Sequence, residues 1–186
     1  MKNGITMVVL SILFTLNACA QNKDAQKSKK QIEESKIFES THADVKAQIA
    51  KTLSVYYLLK DALIADDLSE AKIQAKSFRK ALTTIDMTKM SVAEHTFIIP
   101  LQTKLDYDAE HIQSTPEIDH MREHFSSFSN NMFKMVKAFK ANNGQTVYLD
   151  YCPMQKASWL SNEEPIKNPY YGNKMLTCGS ITETIK

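Results

Sequence analysis

Apolar residues recur every three or four positions through the middle of the chain, beginning with Val45, Ile49, Leu53, Tyr56, Leu59 and Leu63. That spacing lays them along one helix face and predicts that the face is buried. Thr41 and Asp44 stand where the amino-terminal cap belongs. After the turn "ADDLS", a second stripe through Ala71, Ala75, Phe78, Leu82 and Ile85 predicts a helix capped by Asp67 or Ser69 and antiparallel to the first. A third helix is announced by "SVAE", in which Ser91 and Glu94 have the reciprocal capping-box spacing. It carries Phe97, Ile98, Leu101, Leu105 and Ile112, and Pro100, which lacks a backbone donor, is expected to kink it or delay its start. The fourth opens at "TPE", with Thr115 as cap and Pro116 at the first helical position. It buries Ile118, Met121, Phe125, Phe128, Met132 and Phe139, and "NNG" at Asn142 to Gly144 stops it.

Then the period changes. "TVYLDY" sets Val147, Leu149 and Tyr151 against Tyr148, Asp150 and Cys152, the alternation of a strand. The β-branched "MLTCGSITETI" at the carboxyl end is its natural partner, and pairing would bring Cys152 and Cys178 close together. The expected fold is mainly α, a four-helix up-down bundle capped by a short C-terminal β-hairpin and an aromatic loop.

Before the first helix the pattern is different again. Lys2 precedes an apolar run, "ITMVVLSILFTL", too short to span a bilayer comfortably and suited to the hydrophobic region of a secretory signal. "LNAC", ending at Cys19, directly follows and resembles the lipobox of bacterial lipoproteins, in which the Cys is acylated. The polar stretch "AQNKDAQKSKKQIEESK" cannot bury enough apolar area to offset its ordering entropy. The expected division is a signal peptide over 1–18, a disordered polar tether over 19–42 and a helical domain over 43–186. Acylated Cys19 would anchor the chain to a membrane through buried methylenes.

Composition narrows the function. With 186 residues, 43% of them hydrophobic, the chain has room for one domain with a real core. Lys and Arg number 23 against 21 Asp and Glu, so no basic face for nucleic acid is implied. If Cys19 carries lipid, two of the three cysteines remain, Cys152 and Cys178, each with a methionine nearby, Met154 and Met175. Thiolate and thioether ligands select soft ions such as Cu(I) or Ag(I). An exported protein with two spare cysteines also commonly closes a disulfide, worth on the order of 3 kcal/mol by loop-closure arguments. Both readings stand on the spacing.

The histidines are weighed in the same way. His120 and His124, four apart on the fourth helix, project from one face beside the apolar stripe and read as a solvated pair. His111 reads as exposed, His42 as part of the cap of the first helix, and His95 as lying in the first turn of the third helix, near one end of the bundle. Trp159, Tyr170 and Tyr171 read as packing the loop onto the helices. Cys152 with His95 would be the one nucleophile pair, but no third orienting group or oxyanion donor is readable, so no enzyme is expected.

The carboxyl-terminal "VYLDYCPM", "WLSNEEPIKNPYYGNKMLTCG" and "ETI" resemble the bacterial family known as domain of unknown function 3347. "YYLLKDALIADD" and "IDMTKMSVAEH" look like its first helix and the start of its third, so the resemblance runs over about residues 45–186. "CPMQKASW" is shorter between Met154 and Trp159 than the family pattern. Similar domains occur attached to periplasmic adaptor subunits of heavy-metal efflux systems. The resemblance therefore implies Cys152, Met154, Met175 and Cys178 as ligands, with His95 matching the family histidine. It favours an exported outer-membrane lipoprotein that binds Cu(I) or Ag(I), for sequestration or delivery to an efflux adaptor in the periplasm. The alternative is a protein-interaction module with a structural Cys152–Cys178 disulfide.

Overall fold

The structure, a computed structural model, describes residues 36–186. The expected signal peptide, Cys19 and most of the expected tether lie outside the described residues. Helix α1 spans Ala43–Ile64, α2 Leu68–Leu82, α3 Val92–Ser114 and α4 Ile118–Phe139. The apolar stripes are buried except at Phe97 and Ile118, which are half-buried, and every helix packs on the next while α4 also returns to α1. Asp86, just past α2, donates its backbone N–H to Gln48 near the start of α1, and the Phe97 ring in α3 lies 6.0 Å from Phe139 at the end of α4. Consecutive helices therefore run antiparallel, the up-down bundle expected from the short connections.

The caps follow the sequence in part. Asp67 accepts from the Glu70 N–H, and Ser91 with Glu94 completes a capping box. At α1 the cap is His42, whose Nδ1 accepts from the Asp44 N–H. Thr41 is instead buried and donates to the Glu94 carboxylate, tying the chain before α1 to the start of α3. Helix α4 begins after Glu117 rather than at Pro116, with Thr115 accepting from the Glu117 N–H. Lys140, in a left-handed conformation, ends it ahead of the "NNG" turn. Pro100 lies inside the continuous α3, so it does not delay that helix. The last residues of the expected tether pack on the bundle: Phe38 donates its N–H to Ala138 and sets its ring against Phe97 and Phe139.

The cap on the bundle is a three-stranded antiparallel sheet, not a hairpin. Strands β1 (Val147–Cys152), β2 (Ala157–Ser161) and β3 (Ser180–Ile185) take the order β2-β1-β3. The expected pairing of β1 with the carboxyl end is present, and "ASWLS", read as loop, forms the other edge. β1 pairs with β2 in unbroken register, and the register shift against β3 falls in β3, where Thr182 is passed over between the partners of Leu149 and Asp150. Val147 is buried, Leu149 and Tyr151 are only half-buried, and Asp150 and Cys152 turn inward. The extra residue exchanges faces along β3, while in β1 the expected alternation holds from Leu149 to Cys152. The Tyr56 hydroxyl joins the two layers: it bonds Ser129 of α4 and accepts from the Leu160 N–H of β2.

Candidate functional site

Strand β1 ends at Cys152, and the return from the aromatic loop delivers Cys178 beside it. Their Sγ atoms are 3.9 Å apart and unbonded. Pairing between β1 and β3 alone does not place Cys178, which lies before the strand begins. Asn168 does so: fully buried, it accepts from the Tyr170 N–H and donates to the Cys178 carbonyl, and its own N–H bonds the Leu176 carbonyl. Gly179 has φ +153°, and a Cβ there would meet the Trp159 ring at 2.8 Å, so the residue after Cys178 must be glycine for the indole to pass.

The "NPYYG" turn is fastened at its other side by Arg122 of α4. This buried guanidinium donates to the Pro169 carbonyl, the Leu63 carbonyl and the Asp66 carboxylate. Gly172, at φ +52°, leaves room for that ion pair, which a Cβ would meet at 2.8 Å. Tyr170 donates its hydroxyl to the Ser158 carbonyl and sets its ring against Trp159 and Phe125. The aromatic residues do pack the loop onto the bundle, as expected. Asn168 and Arg122 went unnoticed in the sequence, where a lone Asn before Pro and a lone Arg on a helix carry no signal of burial.

The two thiols differ in burial: Cys152 is buried and Cys178 half-buried. The Gln155 N–H points at the Cys152 sulfur at 3.4 Å. Burial, followed by the neighbouring Cys152, pushes the Cys178 thiol above its ordinary range. Two thiolates this close repel, and a cation between them removes that cost. The sulfur separation of 3.9 Å is less than twice a metal–sulfur distance of about 2.3 Å, so one ion can touch both. Cys152 and Cys178 fit a soft ion.

The other expected ligands are placed differently. Met154 is 62% exposed in the turn between β1 and β2, and Met175 is 37% exposed beside the last turn of the aromatic loop. Neither thioether is buried with the thiols; each would have to swing in from solvent. His95 is at the far end of the bundle. Its neighbours on α3, Glu94 and Phe97, meet Thr41, Phe38 and Phe139, whereas Gln155, next to the thiol pair, lies beside Asp119 and Arg122 at the start of α4. From Arg122 to Phe139 the helix rises about 25 Å, which removes His95 from any site built on Cys152.

A family model described as "Protein of unknown function (DUF3347)" matches residues 52–144, half of the chain. The chain belongs to that family. The match runs from within α1 to the turn after α4, so it covers the bundle and stops ahead of the sheet and loop that hold the two thiols. No curated protein and no solved structure matches the chain. Among the described residues no helix is long and apolar enough to cross a membrane.

Proposed function

We propose that this protein is an exported, Cys19-anchored lipoprotein of the cell envelope that binds a soft monovalent ion, Cu(I) or Ag(I), through the thiolates of Cys152 and Cys178. The role that follows is sequestration, or delivery to a metal-efflux adaptor. One observation carries the reading: two unbonded thiols 3.9 Å apart, held there by a buried asparagine and a glycine that admits the indole. Soft sulfur donors prefer such ions to hard cations, and two-sulfur coordination satisfies a monovalent ion that needs few ligands. Met154 and Met175 stand at the rim, where a thioether can join or leave without disturbing the core.

The test is a titration of the reduced full chain with Ag(I), and with Cu(I) under anaerobic conditions. One equivalent should bind, and Cys152→Ser and Cys178→Ser should each abolish that stoichiometric uptake. His95→Ala should leave it unchanged. Absence of stoichiometric uptake by the reduced wild type sinks the reading. A protein whose intact mass shows a two-proton deficit resistant to mild reductant would instead support the interaction module with a Cys152–Cys178 disulfide.

A further inference from the structure

Three histidines converge on the opposite side of α4 from the loop, and the expectation of a solvated pair with a separate exposed His111 does not hold. His111 lies in the last turn of α3, while His120 and His124 lie one helical turn apart at the start of α4. Only residues 115–117 separate the two helices, so the antiparallel turn brings His111 against the other two. All three are half-buried, and their ligand-capable nitrogens lie within 4.8 Å of one another. The His111 and His124 rings are stacked with centroids 4.4 Å apart, and His120 is 4.9 Å from His124.

Beneath them lies a carboxylate that hydrogen bonding within the protein does not satisfy. Asp108 of α3 is 4% exposed; its Oδ1 is 3.0 Å from His124 Nδ1, and its Oδ2 is buried with no partner among the described residues. A carboxylate accepts, so His124 Nδ1 donates and its Nε2 is left free to ligate. This is the arrangement in which an outer carboxylate orients a metal-binding imidazole. His120 repeats it more loosely, with Nδ1 3.6 Å from Glu123. A buried, half-partnered carboxylate is costly unless positive charge lies nearby.

We propose that His111, His120 and His124 form a second metal site, for a borderline divalent ion of the Zn²⁺ class, with Asp108 as the positioning residue for His124. Three imidazoles suit such an ion, in contrast to the soft ion assigned to the thiols. The i, i+4 pair on one helix is the spacing that presents two imidazoles to one ion. On a tetrahedral ion the nitrogens lie about 3.3 Å apart for metal–nitrogen distances of about 2.0–2.1 Å. Closing from within 4.8 Å calls for rotation of the partly exposed His111 and His120 rings toward His124, which Asp108 holds. Three protein ligands leave one position open on a four-coordinate ion.

The test uses the full chain labelled with nitrogen-15 and Zn²⁺ as probe, following the imidazole resonances. The expected result is saturation at one equivalent with His111, His120 and His124 shifting together while His42 and His95 stay in place. The same shifts should persist in Cys152→Ser, which separates this site from the thiol pair. His120→Ala, a half-exposed change on a helix surface, should weaken Zn²⁺ binding at least about tenfold, and Asp108→Asn about 10- to 100-fold. Circular dichroism confirms that each variant keeps its helices. The proposal is overturned if the three resonances do not move together, if they fail to saturate, or if His120→Ala in a folded chain leaves Zn²⁺ affinity unchanged.

Discussion

Helices α1 to α4 bury continuous stripes of Leu, Ile, Phe and Met against one another, whereas the carboxyl-terminal sheet and loop add to Trp159, Leu160 and Tyr170 on that core a few single polar groups that fix the loop. In the bundle, Phe128 touches Phe78 and Tyr56 with ring centroids 4.5 and 5.7 Å away, and many such contacts share the load. In the cap, Asn168, Arg122 and Tyr170 each make bonds that no neighbour duplicates. The difference has a chemical consequence. A region held by redundant dispersion contacts tolerates drift of any one side chain, while a region held by directed hydrogen bonds fixes particular atoms, here two sulfurs.

Phe128→Ala tests the redundancy of the bundle and carries the largest expected effect. It should cost about 3–5 kcal/mol through lost burial and a cavity. Denaturant curves from helix and tryptophan signals should shift together, because Trp159 rests on the same core. A tryptophan transition that separates from the helical one would break the comparison.

Asp150 is the weak point of the sheet. Fully buried in the central strand, with neither carboxylate oxygen partnered among the described residues, it is pushed by burial from 3.8 up to about 6, which the Lys60 charge only partly offsets. An acid with a raised folded-state value binds its proton more tightly when folded. Its contribution is therefore full below the unfolded value and is lost as pH rises through about 6. The loss at neutral pH is on the order of 3 kcal/mol. Asp150→Asn should be more stable than wild type at neutral pH, and should remove the fall in stability between about pH 4 and about pH 7, measured by urea midpoints. An unchanged slope would show that Asp150 does not set it.

Asn168→Ala should have the smallest global effect and the most local one. Leaving the Tyr170 N–H and the Cys178 carbonyl unpaired costs about 1–3 kcal/mol. Hydrogen exchange should quicken over 168–179, Cys178 should alkylate faster, and the amides of α1 to α4 should stay protected. General loss of protection along the helices would mean that the loop supports the bundle as well as the thiols.

How much of this could be read beforehand depends on the range of the interactions. The stripes of α1 to α4, the capping box of Ser91 and Glu94 and the Asp67 cap are encoded within a few residues, so periodicity located them. β2 was missed because five residues with one Trp-Leu step offer too little alternation to tell a strand from a loop. His111 had a usable signal: it lies nearly as far before the α3–α4 turn as His120 lies after the start of α4. Residues placed symmetrically about a tight antiparallel turn lie at the same height along the two helices, and they meet where the helical phase also turns them toward each other. His95 shows the opposite failure, since its similarity to a family histidine says nothing of the length of helix that separates it from Cys152.

The sequence by itself determined the four helices, their order and antiparallel sense, the change of period at Val147 and the pairing that draws the chain's end back toward Cys152, because each follows from local spacing and short connections. Only the tertiary structure decided which polar groups lost their water. The burial of Asp150 and Cys152, the burial of Asn168 and Arg122, and the meeting of three imidazoles over Asp108 depend on surfaces contributed by distant segments. Desolvation is a property of the assembled neighbourhood, and no window of sequence contains it.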